Sequence, residues 1–98
     1  ISTHTSLFIV YAEQMDNDGV SINRYGKEFY KRLFKPFTDD SFPPLWREEL
    51  HETYFGAAYS AAIGHDMREK LRFWGFTIDD EYFYQIYPML LNEMNNEN

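Results

Sequence analysis

The stretch from Pro43 to Trp74 limits the possible folds more than any other part of this chain. Pro43 and Pro44 cannot continue a preceding helix but suit the first turn of a new one. After them Trp46, Leu50, Tyr54, Ala57 and Ala61 recur at helical spacing. Arg47, Glu48, Glu49, His51 and Glu52 supply a polar face for the first half of that helix. The second half has no such face: Phe55, Gly56, Ala57, Ala58, Tyr59, Ser60, Ala61, Ala62 and Ile63 carry no charge on any side. A helix that is apolar all round has to be covered all round. We therefore expect a central helix over 44–63, with its small residues letting neighbouring backbones approach and Phe55 and Tyr59 filling the gaps.

Gly64 is placed to end this helix, because glycine takes the left-handed conformation cheaply. Asp66 and Glu69 have the spacing of a capping box for a second helix, with Met67, Leu71 and Trp74 on its inner face and Gly75 as its stop. Upstream, Ser21 or Asn23 can cap a helix running to about Lys35, where Pro36 is expected to halt it. Tyr25, Phe29 and Leu33 form the inner stripe of that helix, and Lys27, Lys31 and Lys35 the opposite face. The last helix is expected to begin near Thr77 or Asp79. Asp79, Asp80 and Glu81 then fall in its first turn, where the helix dipole favours anions. Phe83, Tyr87, Leu90 and Met94 face inward with Ile86 and Leu91, and Pro88 predicts a kink or a break. Residues 6–25 admit two readings: a helix through Leu7, Tyr11 and Met15, or a hairpin turning at Asp18-Gly19. The expected fold is all-α, one small bundle of four or five helices over 1–98, with an N-terminal β-hairpin packed on three helices as the alternative.

The formal net charge is −7, and 19% of the residues are aromatic. The charge is uneven. Arg24, Lys27, Lys31, Arg32 and Lys35 make one basic stretch, while the segment from Phe73 onward carries carboxylates and no Lys or Arg. An acidic chain is poorly suited to neutralising phosphates and well suited to a basic protein partner. With no cysteine, disulfides, thiolate catalysis and cysteine metal sites are excluded. No apolar run approaches the ~20 residues needed to span a bilayer. We expect no membrane partner, no cofactor and a cytoplasmic location.

The candidates for chemistry are weak. Glu48-x-x-His51 has the spacing of half a carboxylate di-metal motif, but a second copy and further carboxylates are missing. His65-Asp66 pairs two potential ligands, and Asp66 is explained more simply as a cap. Asp16-Asn17-Asp18-Gly19 departs from a calcium loop at Gln14, Ile22 and Tyr25 and reads as a plain acidic turn. Ser60 lies in the apolar half of the central helix with no nucleophile elbow around it.

The reading we favour is a non-enzymatic inhibitor or antagonist, of the immunity, antitoxin or phage-inhibitor type, of a basic nucleic-acid-processing protein. Carboxylates would steer the encounter and tyrosines would supply anchoring area. The residues expected to bind are Asp79, Asp80, Glu81, Tyr82 and Tyr84, with Asp39 and Asp40 second. Three alternatives are a self-associating structural or regulatory subunit, a small metal-dependent hydrolase using His51, His65 and Asp66, and nucleic-acid binding through Arg24, Lys27, Lys31, Arg32 and Lys35.

Overall fold

The computed structural model describes residues 27–45 and 47–96. Helix α1 spans Lys27–Thr38, and a 3-10 turn at Glu48–Leu50 leads into α2, His51–Ile63. A short α3, Arg68–Phe73, and a long α4, Asp80–Asn96, complete the bundle. Among the described residues every regular element is helical and no strand forms. The two readings of 6–25 lie outside the described residues, as does the acidic turn at 16–19.

The centre of the bundle is α2. Every residue from Thr53 to Ile63 is buried, and Ala57, Ala58, Ala61 and Ala62 are each 0% exposed. Helix α4 covers it most extensively and α1 next, with α3 and the 3-10 turn packed at other points. Rings fill the space that the alanines leave. Phe29 of α1 meets Tyr59 edge-on at 5.6 Å between centroids, and Phe55 stacks on Phe76 at 5.8 Å. Gly56 is there for contact: a Cβ built on it would stand 3.0 Å from both Ile78 Cδ1 and Leu71 Cδ1.

The helix boundaries correct three expectations. The central helix begins at His51, not at 44: 43–45 form no regular structure, and Arg47 is extended at φ −142° and ψ 145°. Pro44 disfavours helical geometry at Pro43. This non-helical path brings the Pro43 carbonyl to the buried Tyr54 hydroxyl, which donates to it at 2.6 Å. Helix α1 does not stop before Pro36 but runs through it to Thr38. The missing N–H is offset by burial of the proline and by a closed last turn. Asp39 N donates to Lys35 O at 2.9 Å and Thr38 Oγ1 to Phe34 O at 3.2 Å. Helix α4 likewise continues through Pro88 without a break. The carbonyl left without a helical donor belongs to Tyr84, on the exposed side, where water can reach it. Phe83, Ile86, Leu90 and Met94 stay buried on both sides of the proline.

The caps follow the sequence at some ends and not at others. Gly64, at φ 82°, closes α2, and both Gly64 N and His65 N donate to Ser60 O. Asp79 Oδ1 accepts from Tyr82 N at 2.9 Å and so caps α4. The capping box at α3 does not form as expected. Asp66 Oδ1 accepts from Arg68 N, while Met67 N donates across the fold to the hydroxyl of buried Ser60 at 3.0 Å. No helix among the described residues is long and apolar enough to cross a membrane.

Close packing around α2 sets the first test. Gly56→Leu and Ala57→Leu are each expected to lower the unfolding free energy by about 1–3 kcal/mol, the usual cost of overpacking. Gly56→Ala should do less harm. It gains up to ~1 kcal/mol of helix propensity, and the methyl ends of Ile78 and Leu71 have only to move slightly. Urea denaturation of the three variants measures the order.

Candidate partner-binding surface

Arg68, at the start of α3, gathers much of the charge on one side of the molecule. Its Nε and Nη2 donate to Asp66, its Nη1 donates to Asp80 Oδ1 at 2.7 Å, and Nη2 also reaches the Tyr84 hydroxyl at 3.2 Å. The guanidinium carbon lies 4.8 Å from the Phe83 ring centroid and 4.6 Å from that of Tyr84. Arg72 joins the group, with Nη2 donating to Asp80 Oδ1 and to Ile78 O, both at 2.8 Å. The shape of arginine makes this possible, since one planar fork serves two carboxylates while stacking on rings. A depression of about 400 Å³ lies over the cluster. Its floor is already charge-matched, so the cluster works as a clasp between α3 and the first turn of α4.

That clasp changes the standing of the expected binding residues. Asp80 is engaged by Arg68 and Arg72. Asp79 is occupied in capping α4, and its N–H donates to Thr53 Oγ1 at 2.9 Å. Tyr82 is only 4% exposed, so its ring belongs to the core and not to the surface. Tyr84 does stand out, at 65% exposure, but its hydroxyl and ring are held by Arg68. Asp39 accepts from Ser41 N and Ser41 Oγ and lies 4.0 Å from Lys35. Glu81 and Asp40 remain exposed and form no ion pair among the described residues.

The structure places these last two residues along one flank of α4. Glu81, Gln85, Met89 and Asn92 recur at roughly every fourth position and so share a helix face. At its N-terminal end, a depression of about 160 Å³ is lined by Arg47 and Leu50 on one side and Asp79, Glu81, Tyr82 and Gln85 on the other. At its C-terminal end, a second of about 430 Å³ is lined by the segment 40–44 and by Met89, Asn92 and Glu93. Glu93 and Met89 are absent from the sequence-based selection. Their only sequence signal was position on the outer side of α4, which does not say what stands opposite.

The remaining candidates separate. His51 Nδ1 lies 2.7 Å from Glu48 O, within its own first turn, and His65 is exposed at the α2–α3 turn. Among the described residues no three His, Cys, Asp or Glu side chains are grouped to hold a metal ion. Ser60 is 0% exposed, and its hydroxyl is committed to Met67 N. In the basic helix, Arg32 turns inward, with Nε and Nη2 donating to the carbonyls of Ala62 and Ala61 at the end of α2. No protein-family model, curated protein or solved structure matches this chain.

The clasp carries a pH signature. Hydrogen bonds from Arg68 hold the Asp66 carboxyl below its ordinary value of 3.8, and bonds from Arg72 and Arg68 do the same for Asp80. Both groups release protons more readily folded than unfolded. The stability they lend is therefore complete above about pH 4 and lost as pH falls through their folded values. Arg68→Gln should make acid unfolding shallower, and Arg68→Ala should cost about 1–2 kcal/mol at neutral pH. Urea midpoints measured between pH 2 and 7 would show both effects.

Proposed function

We propose that this chain is a non-enzymatic protein-binding module, an antagonist whose partner presents a basic surface. One observation carries the reading: the way the chain distributes its charges. Asp66 and Asp80 are matched internally by Arg68 and Arg72, and Glu52 accepts from Thr77 N. Asp40, Glu81 and Glu93 are left beside α4 without an ion pair among the described residues, and Arg47, the cation that lines Glu81's depression, is itself paired with Glu49. With a net charge of −7 over the chain, a basic partner gains long-range attraction and finds carboxylates that cost no internal ion pair to engage. A partner that processes nucleic acid has a basic surface of the required kind.

Self-association is the second reading, favoured by the exposure of Phe73 at 86%, Tyr84 at 65% and Met89 at 51%. Sedimentation at micromolar concentration separates it from the first: a monomer across that range removes it.

The principal test is affinity capture on the full chain, followed by titration of the captured protein at rising salt. Binding should weaken steadily as sodium chloride screens the carboxylates. Glu81→Lys combined with Glu93→Lys should weaken it about tenfold or more, some 1.4 kcal/mol. Association indifferent to salt and to the double reversal would sink the basic-partner reading.

A further inference from the structure

The depression at the C-terminal end of α4 has features that the N-terminal one lacks. Its floor and one wall are apolar: Phe42 is 4% exposed and buried against the core, Pro43 and Pro44 follow it, and Met89 stands 51% exposed on the facing helix. Its rim is acidic, with Asp40 on the loop and Glu93 on the helix. Among the described residues that line the depression there is no Lys, Arg or His. By contrast, the smaller depression at the other end contains Arg47, itself 3.4 Å from Glu49.

A second source of negative potential converges on the same place. The C-terminus of a helix carries a partial negative charge from its unbonded carbonyls, which a Lys, Arg or His in the last turn usually offsets. Helix α4 has no basic residue in its last turn. Glu93 therefore adds a full charge beside a helix end that its own helix leaves uncompensated. An apolar floor, two carboxylates and a helix C-terminus with no basic residue in its last turn together fit one kind of visitor: a side chain with a long apolar stem and a cationic head, next to an aliphatic neighbour.

We infer that this depression, between residues 40–44 and Met89–Glu93, is the docking socket for a lysine- or arginine-bearing apolar segment of the partner. This rests on the basic-partner reading above and deepens it by naming the surface. The cationic head lies between Asp40 and Glu93, toward the end of α4. The aliphatic neighbour packs on Met89, whose flexible thioether side chain adapts to unlike shapes. The residues first suggested by the sequence at the N-terminal end of α4 then serve encounter and not anchoring.

The test uses the full chain and the synthetic peptide acetyl-Arg-Leu-Lys-Leu-Arg-amide, followed by NMR chemical-shift titration. A second peptide with serine in place of leucine carries the same charge without the apolar part. The expected result is that the leucine peptide shifts the Met89 methyl and the amides of Asp40 and Glu93, and binds more tightly than the serine peptide. Asp40→Asn with Glu93→Gln should weaken it about tenfold, and Met89→Ser should remove the preference for leucine. All three side chains are at the surface, and matching thermal melts would show that the variants fold. Shifts confined to Glu81 and Gln85 would overturn this socket and leave the basic-partner reading standing. No shift with either peptide would overturn both. Concentration-dependent shifts at Met89 without peptide would mean that a second copy occupies the socket, and would also overturn the assignment.

Discussion

Covering α2 on all sides is the constraint from which the rest of the bundle follows. A helix with one apolar stripe needs one neighbour; a helix buried continuously from Thr53 to Ile63 needs cover in every direction. Helices α1 and α4 provide most of it, and α3 with the following link through Ile78 closes over Gly56. The alanines are there for approach distance, and the rings fill what remains. This accounts for much of the aromatic excess. Phe29, Phe42, Tyr54, Phe55, Tyr59, Phe76, Tyr82 and Phe83 are all buried, and only Phe73 and Tyr84 stand well out among the described aromatic residues.

Surrounding a helix so completely creates a second problem, because its end groups and polar side chains then lie away from water. Each has to find a partner within the fold. The chain solves this with side chains sent from elsewhere. Arg32 of α1 donates to the carbonyls of Ala61 and Ala62, and a cation at a helix C-terminus is also favoured by the dipole. Ser60 receives Met67 N, Thr53 receives Asp79 N, and Tyr54 donates to Pro43 O. The last three of these bonds each fix a connecting segment as well: the α2–α3 turn, the entry to α4, and the irregular run before the 3-10 turn. The polar groups inside α2 thus set the paths of the loops, and the loops set which surface residues meet.

This division explains what could and could not be read from the sequence. The buried helix, its glycine stop and the inner stripe of α4 depend on local spacing, and they appear where the spacing puts them. The starting point of α2 and the passage of α1 and α4 through proline depend on the balance between one lost backbone bond and the burial around it. At Pro36 and Pro88 burial wins; at Pro43-Pro44 a bond from Tyr54 favours a non-helical path. The clasp was illegible for another reason. Asp66 and Arg68 are near neighbours in sequence, but Asp80 and Tyr84 join them only once α3 folds back on α4. Arg32 was likewise grouped with the lysines beside it, and nothing local distinguishes an arginine facing solvent from one that caps another helix.

The same reasoning decides which acidic residues are available for recognition. Read along the chain, Asp79, Asp80 and Glu81 look equivalent, a run of carboxylates at the start of a helix. In the fold they have three different occupations: a cap, the shared acceptor of two arginines, and an exposed charge. Breaking the first two to bind a partner would remove interactions that hold α4 in place, so their energy is already committed to folding. A carboxylate such as Glu93, half-buried near a helix end that lacks a basic residue, carries no such obligation. Binding energy comes most cheaply from groups whose demands the fold leaves unmet. On α4 such groups lie along the flank from Glu81 to Glu93, away from the tyrosine and aspartate that Arg68 has already claimed.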